Sequence, residues 1–215
     1  METIDLLQIA YKKLKSSVYY DKTQLILRQK LVEWEVQHDI DDELSKLSDD
    51  LIVNFESLCN RICDSISYRV FPKKLENSKT EESNIIFNFT EKDIAVKEFQ
   101  CFIDMDIEGH ILGVLWLMMA GYKIDGQIYE HSYGNRIRKN LRSEFNNECT
   151  YSPYLFEPYF QQYESWRDKA LNQALEHLKS DQDVVVIKMD FKRYFYSVDM
   201  NDEVKEQLTM ICGRE

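Results

Sequence analysis

The chain has 215 residues, 44% of them hydrophobic and 13% aromatic, which suffices for one sizeable domain or two small ones. The formal net charge of −11 is opposite in sign to the basic footprint of most nucleic-acid-binding domains, so any such footprint must be local. The N-terminus has no basic region followed by an apolar stretch, and the longest apolar run, Ile111–Gly121, is about half of a membrane span. We therefore expect a cytoplasmic protein that does not associate with membranes.

The N-terminal part of the chain is predicted to be α-helical. Apolar residues repeat at three-four spacing in the first segment, which predicts an amphipathic helix: Ile4, Leu7, Tyr11, Leu14 and Val18. A second helix is predicted over Lys22–His38, and one or two more over Asp41–Arg69. Phe71-Pro72 is expected to end this pattern, and the polar stretch Lys73–Ser83 is predicted to be a loop. Residues 1–70 are thus the first of three predicted regions.

The second predicted region, residues 71–182, is expected to mix strands and helices. Alternating apolar and polar residues predict strands over Ile85–Phe89 and over part of Ala95–Met105. A largely buried helix is predicted over Ile107–Ala120, with Gly121 as its C-terminal cap.

The same region is predicted to end in a long helix. Lys123–Tyr129 has the composition of a short strand. A helix over Glu157–Ser180 follows, with Pro158 in its first turn. Tyr163 and Trp166 fall near one face of this helix, and we interpret them as core residues rather than as base-stacking residues.

The third region, residues 183–215, begins with a run of β-branched residues. Val184–Met189 is predicted to be a strand buried on both faces of a sheet. A carboxylate that ends such a strand, here Asp190, is held rigidly and suits a hard cation such as Mg²⁺. The alternative is that Asp190 only begins a turn and that the following aromatic residues fill a core. A final helix is predicted over Glu203–Ile211, capped by Asp202.

The string Val184–Asp199 resembles the A motif of reverse transcriptases, in which an apolar strand leads into an Asp that is followed by spaced aromatic residues. The resemblance implies that Asp190 is a ligand of both Mg²⁺ ions in nucleotidyl transfer and that the backbone carbonyl of Phe191 is a second ligand. It also implies that Phe195 is a steric gate that rejects a ribose 2′-hydroxyl. Lesion-bypass DNA polymerases have a similar strand, but they carry an earlier Asp and place it near the N-terminus.

Four further stretches resemble bacterial reverse transcriptases of the antiphage-defence type: Ser67–Lys74, Leu115–Asp125, Ser132–Ile137 and Tyr159–Leu178. With the A motif, the resemblance covers most of residues 60–205. The string Tyr133-Gly134-Asn135-Arg136 is the most distinctive. It is interpreted as a turn that presents Arg136, with Arg138 beside it, to a phosphate. The alternative is a solvated basic segment in which Gly134 serves only the turn.

The resemblance implies an α+β fold with a helical N-terminal region, fingers and the first strand of an incomplete reverse-transcriptase palm. No Asp-Asp pair follows Asp190, so we expect the N-terminal portion of an RNA-directed DNA polymerase that is inactive by itself. Its implied partners are an RNA template, a DNA product, dNTPs, Mg²⁺ and proteins of a defence system. The alternative is a non-catalytic module, derived from a polymerase palm, that binds nucleic acid or protein.

Overall fold

The computed structural model describes residues 2–75, 96–138, 154–191 and 194–213. In this part of the chain the fold is α+β and mostly helical, with a two-stranded antiparallel sheet, which confirms the predicted class at that level. A reverse-transcriptase palm is not confirmed. No helix in the described ranges is both long and apolar enough to cross a membrane.

The helices are α1 (Thr3–Tyr20), α2 (Leu25–Gln37), α3 (Ile40–Val53), α4 (Phe55–Ser65), α5 (Ile107–Trp116), α6 (Tyr122–Asp125), α7 (Tyr159–Lys179), α8 (Tyr194–Ser197) and α9 (Asp202–Cys212). A π-helical segment, Leu117–Gly121, joins α5 to α6. The strands are β1 (Ser67–Leu75) and β2 (Val96–Asp104). The chain divides into two units: Ser45–His110, and a larger one formed by Met1–Leu44 with Ile111–Glu215. The predicted division after residues 70 and 182 follows the resemblance and stays a prediction.

Helix α1 buries one face, as its apolar spacing predicts. Its buried hydrophobic side chains share one face of the helix: Leu7, Ala10, Tyr11, Leu14 and Val18. At its start, the backbone N–H of Glu2 donates to the Asp5 carboxylate at 3.0 Å. At its end, the Arg28 guanidinium donates to the carbonyls of Val18 and Tyr19, both at 3.1 Å. A cation at this position also complements the negative end of the helix dipole.

Tyr11 connects α1 to α2 through a carboxylate. Its hydroxyl donates to Glu35 Oε1 at 2.7 Å, and the Lys15 ammonium lies 2.9 Å from the same oxygen. Burial, the hydrogen bond to Glu35 and the negative charge of Glu35 together raise the pKa of Tyr11 well above its ordinary value of 10.0. The folded state therefore favours the neutral phenol, whose proton makes this bond.

Tyr11→Phe should lower the free energy of unfolding by about 1 kcal/mol at neutral pH, since one hydrogen bond is lost while Glu35 keeps Lys15. A phenol whose folded-state pKa is raised contributes stability below pH 10 and loses it as the pH rises further. The native chain should thus lose stability above pH 10 more steeply than Tyr11→Phe. Urea unfolding at neutral pH and above pH 10 tests this. Tyr129→Phe is the control, because the ring of Tyr129 is exposed. If Tyr11→Phe and the native chain lost the same free energy of unfolding above pH 10, the prediction would be wrong.

The smaller unit contains the sheet. Strands β1 and β2 pair antiparallel from Ser67 opposite Asp104 to Leu75 opposite Val96, with an irregularity after Pro72. Strand β2 confirms the strand predicted within Ala95–Met105.

Strand β1 corrects two predictions. The predicted helices end at Val53 and Ser65, and Phe71-Pro72 lies within the strand instead of breaking a helix. Aromatic and β-branched residues favour the strand, and Pro72 is tolerated because both strands of a two-stranded sheet are edges. Lys73–Leu75 belongs to β1, whereas the rest of the predicted loop, and the strand predicted at Ile85–Phe89, lie outside the described residues.

The helix that begins at Ile107 continues further than predicted. Gly121 has a right-handed helical backbone, with φ −58°, so it is not a C-terminal cap. A Cβ at this position would lie 2.8 Å from Leu117 Cδ2, so the glycine permits close packing. The strand predicted over Lys123–Tyr129 is also wrong, because Lys123–Asp125 completes α6 and a turn follows. Local helical hydrogen bonds here outweigh the weak strand propensity of a short segment.

Helix α7 confirms the predicted helix, with Pro158 immediately before its first residue. None of its residues is buried, so the interpretation of Tyr163 and Trp166 as core is wrong. Helix α9 also matches its prediction, except that its cap is Asn201, whose side-chain oxygen accepts from the Val204 N–H at 3.0 Å.

Candidate functional site

The segment before Asp190 is neither a strand nor buried. Residues 182–191 have no regular secondary structure, and no described strand pairs with them. The side chains of Val185, Val186, Ile187 and Met189 are 73–87% exposed. The predicted buried strand is therefore corrected. A strand is stabilised by hydrogen bonds to neighbouring strands, which the β-branched sequence cannot supply by itself.

The three residues implied by the A motif follow this segment. Asp190 is exposed, and the exposed ring of Phe191 lies 6.2 Å from the ring of Tyr194. Phe195 lies in the short helix α8, although its side chain is outside the described part of the structure. Their roles as metal ligands and as a sugar gate stay predictions.

Asp190 and the Phe191 carbonyl offer hard oxygen donors, the type that Mg²⁺ prefers. A two-metal site needs more carboxylates than one. Within the described ranges, no group of three or more His, Cys, Asp or Glu side chains is arranged to hold a metal ion. The described donors therefore suit Mg²⁺ in kind but do not complete a site.

Arg136 forms an ion pair with Asp125, a partner that was not predicted from the sequence. Arg136 Nε donates to Asp125 Oδ1 at 2.8 Å, and Nη2 donates to Oδ2 at 3.1 Å. Asp125 is buried, with 5% of its side chain exposed, against 20% for Arg136. The backbone N–H of Ile137 also donates to Asp125 Oδ1, at 3.1 Å. These contacts raise the pKa of Arg136, chiefly through the hydrogen bonds to Asp125.

The remaining contacts of Arg136 are also with the protein itself. Its Nη1 donates to the Ser132 carbonyl, and Nη2 also donates to the Asp125 carbonyl, both at 3.1 Å. The guanidinium thus joins α6 to the Tyr133–Arg136 turn, where Asn135 has a left-handed φ of 48°. Phosphate contact by Arg136 stays a prediction, and in this arrangement a phosphate would have to compete with a buried carboxylate.

Asp125 could have been found from the sequence, since it ends one resembling stretch and Arg136 lies in the next. The pairing itself was not predicted, because Asp125 ends α6 and only the turn that follows α6 brings Arg136 back to it. Opposite charges near each other in sequence are too common to predict a buried pair.

Arg138 occupies a different environment. Its backbone N–H donates to the Leu155 carbonyl at 3.0 Å, within a short antiparallel bridge between Ile137 and Phe156. Its guanidinium lies 4.8 Å from the ring centroid of Tyr154. It has no carboxylate partner in the described part of the chain. Phosphate contact by Arg138 also stays a prediction.

The exposed face of α7 carries three aromatic rings in sequence. The rings of Tyr159 and Tyr163 stack at 6.1 Å with an interplanar angle of 28°, and Tyr163 lies 5.7 Å from Trp166. The Lys169 ammonium, one turn further along, lies 5.1 Å from the ring centroid of Tyr133. We name Tyr159, Tyr163 and Trp166 the aromatic row.

Comparison with protein-family models, with curated proteins and with solved structures finds no match to this chain. The resemblance to reverse transcriptases therefore depends on the motifs themselves.

Proposed function

We propose that the chain is part of an RNA-directed DNA polymerase, to which it contributes a helical N-terminal region, fingers and the first carboxylate ligand of the palm. The string Val184–Asp199 carries this proposal. It combines an apolar run rich in β-branched residues, an aspartate at the end of that run and an aromatic residue five positions later. The Tyr133–Arg136 string supports the same family.

In this proposal each residue has a distinct task. The exposed Asp190 carboxylate and the Phe191 carbonyl provide oxygen ligands at the end of the apolar run. Phe195 lies against the sugar of the incoming dNTP and excludes a 2′-hydroxyl. Arg138, which has no carboxylate partner among the described residues, contacts a phosphate of template or product. Bound Mg²⁺ would supply charge neutralisation at the reacting phosphate.

The exposed apolar run supports a further part of the proposal. Val185, Val186, Ile187 and Met189 have the composition of a central strand, yet no described residue covers them. We infer that the palm is completed by strands that pair with this run and bring the other carboxylates. The chain alone is then inactive.

Primer extension tests the polymerase proposal directly. The complete gene product should incorporate dNTPs on an RNA template, whereas this 215-residue chain should not. In the same assay, Phe195→Ala should raise ribonucleotide incorporation. Templated synthesis by the chain alone would overturn its assignment as an incomplete palm, and no synthesis by the gene product would overturn the function. The antiphage setting rests on the resemblance, and phage plating with and without the gene tests it.

A non-catalytic binding module is the second candidate, favoured by the net charge of −11 and by the exposed apolar run. An acidic protein with exposed apolar residues is better suited to a protein partner than to bare nucleic acid. A gene product that lacks synthesis on every template but forms a stable complex through Val184–Met189 would support it.

A further inference from the structure

We propose that the aromatic row of α7 is a stacking surface for single-stranded nucleic acid. Three neighbouring rings, Tyr159, Tyr163 and Trp166, are 77%, 46% and 47% exposed. They lie on one face of the helix, at spacings of four and three residues, and contact one another in order.

A row of exposed aromatic rings is chemically suited to unpaired bases. Proteins that bind single strands without sequence preference place bases on the faces of exposed aromatic rings. The rings of Tyr159 and Tyr163 stack with 28° between their planes, and both residues remain exposed to solvent. A duplex hides its base faces within its own stack, so this surface selects single strands over duplexes.

Positive charge lies at the end of the row. Lys169 is one turn beyond Trp166, is exposed, and has no carboxylate partner in the described ranges. Its ammonium lies over the ring of Tyr133, which places it beside the row and available to a backbone phosphate. Arg167 is different, because it forms a two-pronged pair with Asp168 at 2.6 and 3.2 Å.

The negative net charge of the chain affects how single-stranded nucleic acid should bind. With a net charge of −11, the long-range electrostatic interaction with phosphates is unfavourable, so stacking must supply most of the binding free energy. Binding should therefore depend more on the aromatic rings than on Lys169, and only weakly on salt. The alternative is that this face binds a protein. Self-association of the chain through this face would be one such case, and it can be measured.

This inference deepens the proposed function, for which it names a contact with the unpaired template, but its test uses this chain alone. A fluorescein-labelled oligothymidylate of about 20 nucleotides is titrated with the chain, and the anisotropy is recorded. Tyr163→Ala and Trp166→Ala should each weaken binding roughly 5- to 150-fold. Trp166→Phe should retain most of the affinity, and Lys169→Gln should have a smaller effect than either alanine variant.

Leu175→Ala is the matched control, because Leu175 is 50% exposed on the opposite face of the same helix. It should leave the affinity unchanged, and circular dichroism checks that each variant keeps its helices. The proposal is overturned by absence of binding, by equal affinities of Trp166→Ala and Leu175→Ala, or by sedimentation that shows a dimer dissociated by Trp166→Ala. The polymerase proposal is tested by primer extension and this surface by anisotropy. Failure of one proposal can therefore be distinguished from failure of the other.

Discussion

Asp190→Asn in the complete gene product should reduce templated dNTP incorporation by about 10³-fold or more. The amide keeps the size of the side chain but removes the negative charge that holds a divalent cation. A loss of this size corresponds to roughly 4 kcal/mol of transition-state stabilisation. Because Asp190 is exposed, the unfolding midpoint should not change.

The control for this substitution is Asp199→Asn. Asp199 is also exposed and ends the same string, where we interpret it as a cap or turn residue and not as a metal ligand. Its substitution should leave synthesis within a few-fold of the native rate. Retained synthesis in Asp190→Asn, or an equal loss in Asp199→Asn, would rule out the ligand assignment. Primer extension under single-turnover conditions measures both.

Arg136→Ala should lower the free energy of unfolding by about 3 kcal/mol, which corresponds to a fall of roughly 6–12 °C in Tm. The substitution leaves the Asp125 carboxylate buried with only the Ile137 N–H as a donor among the contacts described above. An uncompensated buried charge is expensive because it has lost both water and its counter-ion. The left-handed turn at Asn135 also loses the hydrogen bonds through which Arg136 connects it to Asp125 in α6.

A double-substitution cycle separates the pair from its surroundings. If the penalty comes from the unpaired carboxylate, Asp125→Asn should recover part of the stability that Arg136→Ala removes. Arg167→Ala is the control, because it breaks an exposed arginine–aspartate pair and should leave the unfolding midpoint unchanged. Unfolding of Arg136→Ala at the native midpoint would show that Arg136 is free for another role, and phosphate contact would then become its better explanation.

Local patterns in the sequence were sufficient for several helices. The spacing of Leu7, Tyr11, Leu14 and Val18 predicts both the helix and the buried face of α1, because a helix places residues three and four apart on one side. Helices α7 and α9 were predicted from the same type of pattern and from residues that favour helix starts.

Pairing and burial were decided by tertiary structure. Ser67–Leu75 becomes a strand because β2 lies beside it, although β2 is more than twenty residues away along the chain. The aromatic residues of α7 have the spacing of a buried face, yet Tyr163 and Trp166 are exposed because burial requires a second element to pack against them.

For the candidate site, too, some features follow from the sequence and others from the tertiary structure. The sequence by itself determined that an apolar run leads into Asp190 and that Arg136 lies in a distinctive turn, because both are contiguous strings. Only the tertiary structure decided that Arg136 pairs with the buried Asp125 and that Val184–Met189 is exposed. The physical reason is that ion pairs and strands join groups that are not neighbours along the chain, and whether they meet depends on how the intervening segments fold.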